Sequence, residues 1–247
     1  WSSDVCSSDL MSVLTTFVPD LAGSVKRADR KGFVEKMSTG VRVVALFTVP
    51  AGFGLFALRR PILGALLQHG RFSSLDALIT SRALAGFALG LGGYSIYLFA
   101  LRGFYSHQDT RTAFTLNLFE NLFNIIFAVA LVHRFGVLGL GAAFGLAYAL
   151  SALWALQVLS YKVPGFDYHG LLIAIGKTAL AATVMAEVIW FATHRIGSNV
   201  GTGAAARIVV GILVGTLVYA GVIWALGYRE LERVKQLVSR ASTRRPR

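Results

Sequence analysis

The residues of this chain best suited to bind or position other groups are concentrated in one short segment, residues 102–112. Its sequence is R-G-F-Y-S-H-Q-D-T-R-T, and it lies between two apolar stretches of membrane-spanning length. Arg102 and Arg111 flank Asp109 and Thr110, whose side-chain oxygens can accept backbone N–H bonds at the start of a helix. We therefore predict a basic loop in which Asp109 caps the helix running from Thr112 and bonds an arginine.

A second group of polar residues lies in the apolar stretch that follows. Its members are spaced by three and four residues, which places them on one helical face. They are Asn117, Glu120, Asn121 and Asn124. A carboxylate near the middle of a membrane helix costs on the order of 2.5 to 3.5 kcal/mol by insertion scales, so we expect Glu120 to face the protein interior or a water-filled cavity. The asparagines fit two interpretations, cavity lining and hydrogen bonding between helices, and the second is favoured for them.

Motifs that would indicate covalent chemistry or a cofactor are missing from the sequence. It contains no G-x-S-x-G, no H-E-x-x-H and no P-loop, and its five histidines show no metal-ligand spacing. The single cysteine, Cys6, excludes an intrachain disulfide and a cysteine-based metal cluster. We therefore predict no catalytic residue, no metal and no cofactor.

The composition indicates a membrane protein. Of the 247 residues, 55% are hydrophobic and 15% are charged, and the mean hydropathy is +0.63, which is too apolar for a soluble domain. The net charge of +12 would suggest a nucleic-acid partner in a soluble protein. Here the charges lie between apolar runs and no nucleic-acid recognition motif is present. Basic loops facing an anionic lipid surface are the favoured interpretation, without nucleic acid.

Six apolar runs are long enough to cross a bilayer, which needs roughly 20 residues. They are residues 41–58, 83–101, 113–132, 137–161, 171–191 and 208–226. Residues 11–21 have half that length and are interpreted as the end of a seventh helix. Pro61 is expected to end the first run. Ser73 and Asp76 have capping-box spacing, which predicts a short helix at 72–82 on the membrane surface.

The distribution of basic residues predicts the orientation. Seventeen of the 24 Lys and Arg residues fall on the side that holds the 22–40 loop, the 102–112 loop and the C-terminus. Because positive loops stay in the cytoplasm, that side is predicted to be cytoplasmic. From residue 229 onward an apolar face accompanies seven basic residues, which predicts binding to the inner leaflet.

The chain divides into segments on the same evidence. Residues 1–10 are polar, repeat Ser-Ser-Asp and do not resemble a signal peptide, so we interpret them as a non-native extension. Residues 11–40 are predicted to be the end of a transmembrane helix followed by a basic cytoplasmic loop. Four transmembrane helices follow at 41–161, two more at 171–226, and a basic cytoplasmic tail at 227–247. The expected fold is an all-α polytopic membrane protein.

The pattern R-x-F-Y-x-x-x-D-T-R-T resembles the signature loop of the MurJ (MviN) family of lipid II flippases, in the multidrug/oligosaccharidyl-lipid/polysaccharide exporter superfamily. The matching residues are Arg102, Phe104, Tyr105, Asp109, Thr110 and Arg111. Weaker similarity runs from residue 11 to the end of the chain. The resemblance implies two six-helix lobes around a cavity plus two C-terminal helices. This chain would supply the end of helix 8 and helices 9 to 14, and the motif loop would hold the inner gate.

The resemblance also implies a function, the flipping of lipid II across the bacterial inner membrane by alternating access. The implied partners are lipid II, membrane lipids and the missing N-terminal half of the same protein, without which residues 11–247 are not expected to transport. The last two helices would form a groove for the lipid tail, with Ala182, Gly211 and Gly215 as candidates, although these small residues also fit ordinary helix packing.

The sequence departs from the family in two ways and leaves other functions open. Ala113 stands where the family commonly has proline, and the arginines that hold the substrate's pyrophosphate lie mainly outside this chain. One alternative is an O-antigen or exopolysaccharide flippase of the same superfamily. Others are a membrane-embedded glycosyl- or acyltransferase, which would need a polar cluster that is missing here, and a non-transporting half-protein that assembles with a partner.

Overall fold

The computed structural model describes residues 25, 29–68, 73–194 and 196–227. These residues form six α-helices, each long and apolar enough to cross a membrane. They are α1 (Arg30–Leu67), α2 (Ser74–Ser106), α3 (Thr110–Phe135), α4 (Val137–Lys162), α5 (Tyr168–His194) and α6 (Gly201–Ala225). Each predicted apolar run lies on a different helix, so the all-α polytopic fold is confirmed. The predicted extension at 1–10, the helix end at 11–21 and the tail from residue 228 lie outside the described residues.

The first helix begins earlier than its apolar run. The side chain of Asp29 accepts a hydrogen bond from the Gly32 N–H at 2.9 Å and so caps the helix. Residues 30–40, predicted to be loop, are therefore helical. Their charged side chains obscured the helix in the sequence, because a hydropathy search finds the part of a helix that is apolar and not the part that extends beyond it.

The prediction that Pro61 ends the first helix is wrong. α1 continues through both Pro50 and Pro61 to Leu67. A proline removes only the hydrogen bond to the carbonyl four residues earlier, and a membrane protein can satisfy that carbonyl from a neighbouring helix. For Pro50 the carbonyl is that of Leu46, and the hydroxyl of Tyr219 in α6 donates to it at 2.7 Å. This bond lets α1 stay helical and ties it to α6.

The predicted capping box is present, but the separate surface helix is not. The Ser73 hydroxyl accepts from the Asp76 N–H at 3.2 Å, and the Asp76 carboxylate accepts from the Ser73 N–H at 3.0 Å. The prediction of a short helix at 72–82 is wrong, because no proline or turn separates the cap from the apolar run. The helix that starts here is α2, which runs 33 residues.

Glycines set the contact between α2 and α4, the most extensive helix pair in the described part of the chain. A methyl group added to Gly86 would lie 2.6 Å from the Cα of Gly141, and one added to Gly90 would lie 2.6 Å from the Cα of Gly145. Only residues without a side chain allow the two backbones to approach this closely. The GxxxG spacing of Gly86 with Gly90 and of Gly141 with Gly145 predicts close helix packing from the sequence alone, and the structure confirms that prediction.

The six helices form a group of four and an attached pair. α1 packs on α2, α2 on α4, and α4 on α3, while α5 and α6 pack on each other and on α1. The core of the larger group is built from big apolar side chains, among them Phe33, Met37, Phe99 and Leu156. α3 is the outermost member, since only Ala113, Leu116 and Glu120 are buried along its length. The other faces of α3 are left open.

Candidate functional site

The connection between α2 and α3 is a three-residue turn that places Asp109 directly before α3. The N–H groups of His107 and Asp109 both donate to the Phe104 carbonyl, at 3.1 and 3.0 Å. Between them Gln108 has a φ of 56°, a left-handed conformation that costs a residue with a side chain roughly 1–2 kcal/mol. The turn is therefore held closed by backbone bonds against local strain.

Asp109 both caps α3 and forms an ion pair. Its Oδ1 accepts from the Thr112 N–H at 3.1 Å, while its Oδ2 bonds the ammonium of Lys162. Lys162 also donates to the Thr112 hydroxyl at 2.5 Å. The hydrogen bond from Lys162, followed by those from Thr112, lowers the pKa of the Asp109 carboxyl to about 2. Asp109 is thus ionised at neutral pH and connects the start of α3 to the end of α4.

The partner of Asp109 differs from the prediction. The sequence analysis expected an arginine of the motif loop, whereas the structure places Lys162 there, 53 residues further along the chain. The reason is topological, because α3 and α4 form a hairpin that returns the end of α4 to the start of α3. Spacing within the motif carries no signal for such a contact.

Two further contacts join α1 to the same end of the molecule. The Arg30 guanidinium donates to the Pro164 carbonyl through Nε at 2.9 Å and through Nη2 at 2.7 Å. The ring of Phe33 packs edge-on against the His107 ring at a centroid distance of 4.5 Å. Arg30, Phe33, His107 and Lys162 all line a cleft of about 290 Å³. We refer to Arg30, Phe33, His107, Asp109 and Lys162 as the end cluster.

The remaining motif residues have separate surroundings. Phe104 is buried in the core, and Tyr105 is half exposed. Arg102 is partly buried, while Thr110 and Arg111 are exposed at the start of α3. Of the motif residues, the structure therefore brings only Asp109 into the end cluster. Arg30 and Lys162 were counted in the sequence only as basic charges, and their bonds could not be predicted from it.

The polar face predicted on α3 divides between the interior and the surface. Asn117 accepts from the Tyr97 hydroxyl at 3.0 Å and donates to the Ala113 carbonyl at 3.1 Å. Asn121 is exposed, and its amide donates to the Asn117 carbonyl at 2.8 Å. Asn124 is partly buried. Asn117 thus bonds between helices, whereas Asn121 bonds within α3.

Glu120 lies in the interior, with 3% of its surface exposed. Tyr148 of α4 and Asn124 are within hydrogen-bonding reach of its carboxylate. Its Oε1 atom is nevertheless buried without a hydrogen-bond partner among the described residues. Tyr97 and Tyr148, which pack edge to face at 5.6 Å, were missed in the sequence because tyrosines in apolar runs are ordinary packing residues.

The candidates for the lipid-tail groove lie at contacts between helices. Ala182 is fully buried in the main core. A methyl group on Gly211 or on Gly215 would lie 2.6 Å from Leu58 or from Ile189, respectively. Small residues take these positions because they let neighbouring helices approach. The open apolar surface of α5 and α6 is formed instead by large side chains: Leu180, Trp190, Val209, Leu213, Leu217 and Trp224.

In the part of the chain that the structure describes, the polar side chains of the site mainly join helices to one another. The described residues contain no group of three His, Cys, Asp or Glu side chains that could hold a metal ion. Polar contacts lie in the end cluster and along one face of α3, and a further set surrounds Arg207 at the opposite end of the bundle. Together with six membrane-length helices, they define a polytopic α-helical membrane protein whose polar contacts join helices to one another.

Comparison with known proteins assigns the family. A family model described as "Lipid II flippase MurJ" matches residues 10–211, and the chain belongs to this family. The lipid II flippase MurJ of Thermosipho africanus is 30% identical over 205 residues, which are 83% of this chain and 40% of that protein. The probable lipid II flippase MurJ of Vibrio cholerae is 25% identical over 229 residues, covering 89% and 42%.

A solved structure matches as well. The structure described as "Lipid II flippase MurJ, inward closed conformation" aligns with a TM-score of 0.71 and 27% identity, covering 89% of this chain and 43% of that one. The chain therefore spans about two fifths of the length of the curated relatives it matches.

Proposed function

We propose that this chain forms the second lobe and the C-terminal helix pair of a flippase that moves lipid II across the bacterial inner membrane. The observation that carries the proposal is the alignment, over 89% of the chain, with the MurJ structure in its inward closed conformation. That structure is more than twice as long, so transport belongs to an assembly that contains a further lobe. The transport is by alternating access, and no covalent chemistry is involved.

In this proposal the end cluster is part of the cytoplasmic gate. It joins α1, α3 and α4 through contacts that a conformational change can break and re-form. Exposed ion pairs contribute only about 0.2–1 kcal/mol each, so opening the end cluster requires little free energy. The strained turn at Gln108 makes α3 the helix most easily released, since α3 buries few side chains of its own.

The polar face of α3 is proposed to line the central cavity. Asn121 supplies an exposed amide, while Glu120 and Asn117 fix the face against Tyr148 and Tyr97 of the neighbouring helices. A sugar headgroup needs many donors and acceptors, and a face of amides provides both. The lipid tail is proposed to follow the open apolar surface of α5 and α6, where large side chains give contact area without hydrogen bonds.

The proposed location is the inner membrane, with the end cluster and the C-terminus in the cytoplasm. Support comes from the excess of Lys and Arg on that side. Single cysteines at Gln108 and at Ser198, in a Cys6→Ser background, would report the orientation. An impermeant maleimide applied to intact spheroplasts should label the cysteine at 198 and not the one at 108, and the reverse pattern would overturn the orientation.

Growth of cells depleted of their own flippase tests the function. The complete transporter that contains this lobe should restore growth, whereas residues 11–247 alone should not. Membrane insertion of both proteins is measured in parallel, so that a failure to insert is not taken for a failure to transport. Rescue by residues 11–247 alone would contradict the need for a further lobe.

A further inference from the structure

A second cleft, of about 310 Å³, lies at the opposite end of the bundle from the end cluster. The last turns of α1 and α5 and the start of α6 surround it. Its polar lining consists mainly of basic side chains and donors: Arg59, Arg60, His194, Asn199 and Arg207. Trp190, more than half exposed, forms part of the wall. Tryptophan at the end of an apolar helix is typical of the membrane–water interface.

Arg207 shapes this cleft. Its guanidinium donates to the carbonyls of Ile196 and Gly197 and to the Asn199 side-chain oxygen, the last two at 2.6 and 2.5 Å. These bonds hold the α5–α6 loop against α6. The Asn199 oxygen accepts from Arg207, so the donor that the Asn199 side chain can offer to a ligand is its amide nitrogen, and Asn199 lines the cleft. Most N–H donors of the Arg207 guanidinium are used in these bonds, while its positive charge remains part of the cleft lining.

Arg59 and Arg60 supply further positive charge. Arg59 folds back on α1, donating to the Phe56 carbonyl at 2.5 Å with its guanidinium carbon 4.4 Å from the centre of the Phe56 ring. Arg60 is exposed. Among the described residues, no carboxylate forms an ion pair with Arg59, Arg60 or Arg207. Three like charges in a small cleft repel one another, so the cleft favours an anion.

We propose that this cleft binds the phosphate of an anionic lipid headgroup. Arg59, Arg60 and Asn199 donate to the phosphate oxygens, and Arg207 is the positioning residue. Guanidinium groups suit this role because their planar donors match phosphate oxygens. The exposed Trp190 places the cleft at the lipid boundary, where the chains of the bound lipid can stay in the bilayer. The outer leaflet follows from the proposed orientation, whereas the binding itself does not depend on the proposed function.

Lipid retention measured by native mass spectrometry tests the proposal. The full 247-residue chain is taken from nanodiscs that contain equal parts of phosphatidylglycerol and phosphatidylcholine. One phosphatidylglycerol should be retained in preference to phosphatidylcholine. One basic residue near an anionic surface changes binding about fivefold, so Arg60→Gln should lower the retention of phosphatidylglycerol by about that factor. The double variant Arg59→Gln/Arg60→Gln should lower it further.

The controls separate binding from folding and from general surface charge. Arg134→Gln removes an exposed arginine at the end of another helix and should leave retention unchanged. Arg60 makes no hydrogen bond to a described residue, so Arg60→Gln should fold normally. If Arg59→Gln does not fold, Arg59→Lys replaces it, which keeps the charge and removes the planar guanidinium donors. Equal retention by Arg60→Gln, Arg59→Gln/Arg60→Gln and Arg134→Gln would overturn the proposal.

The source of the phosphate is distinguished by competition. If the cleft serves a bilayer phospholipid, added polyprenyl diphosphate should not displace phosphatidylglycerol. If it serves a diphosphate-linked lipid, polyprenyl diphosphate should displace phosphatidylglycerol, and its own retention should fall in Arg60→Gln. Both results support a phosphate site. Retention of neither lipid above phosphatidylcholine would refute it.

Discussion

Replacing Asp109 separates its two contributions to the end cluster. Asp109→Ala removes the cap of α3, which is worth about 1 kcal/mol, and the ion pair with Lys162, worth about 0.2–1 kcal/mol at an exposed site. The expected loss is about 1–2 kcal/mol, or about 2–8 °C in Tm for a chain of this size. Asp109→Asn keeps an oxygen for the Thr112 N–H and should lose only the ion pair.

Thermal unfolding of the purified protein in detergent measures these losses, and a double-mutant cycle isolates the pair. Asp109→Asn, Lys162→Met and the double variant should show a coupling of about 0.2–1 kcal/mol. Asp29→Ala is the matched control, because Asp29 caps α1 in the same way and forms no ion pair with a described residue. Zero coupling, or an Asp109→Asn loss as large as that of Asp109→Ala, would refute the assignment.

The same carboxylate predicts a pH dependence of stability. Its folded-state pKa of about 2 lies below the ordinary value of 3.8. A carboxyl group whose pKa is lowered by folding stabilises the folded state at pH values above its ordinary pKa. This contribution is lost as the pH falls from about 4 towards 2. Asp109→Asn should therefore remove part of the acid sensitivity. An unchanged acid profile in this variant would contradict the contribution of Asp109.

Other predictions follow from single contacts. Tyr219→Phe leaves the Leu46 carbonyl without its donor in an apolar environment and should lower stability by about 1–3 kcal/mol, measured by thermal unfolding. Gly90→Leu should separate α2 from α4 at Gly145 and abolish the monodisperse folded protein in size-exclusion chromatography. Gln108→Gly should raise stability by about 1 kcal/mol, because glycine adopts the positive φ without strain.

Matched variants test the first two predictions, and the sign of the stability change tests the third. Tyr161→Phe changes an exposed tyrosine and should be neutral, so an equal loss in both tyrosine variants would contradict the Leu46 bond. Gly176 has no atom within 4 Å of an added methyl group, so Gly176→Leu should be tolerated where Gly90→Leu is not. A Gln108→Gly protein less stable than the parent would show that the turn is not strained.

The sequence predicted which helices form better than it predicted where they begin and end. Apolar length alone located the six helices, since only a helix satisfies its own backbone in lipid. The prediction that Pro61 ends the first helix failed, because proline removes a single backbone hydrogen bond. Which group then satisfies the freed carbonyl depends on residues elsewhere in the chain. Tyr219 satisfies the Leu46 carbonyl freed by Pro50 from 173 residues away, which no local pattern contains.

The candidate site was predictable only where it is local. The cap formed by Asp109 follows from its position before the helix. Its ion pair with Lys162 and the bond from Arg30 to Pro164 required the topology, because these contacts join residues 53 and 134 positions apart. The spacing of Gly86 and Gly90 correctly predicted close helix packing. The spacing of Gly211 and Gly215 was equally compatible with helix packing and with a groove for the lipid tail, so the sequence could not separate the two.

Translocation of lipid II in proteoliposomes tests the central proposal most directly. The complete transporter containing this lobe is reconstituted with fluorescent lipid II, and the fraction protected from an added quencher is followed over time. We predict that lipid II crosses the bilayer while a polyprenyl diphosphate carrying an O-antigen sugar does not, and that Asp109→Ala slows the crossing. No movement of lipid II, or equal movement of both lipids, would contradict the account.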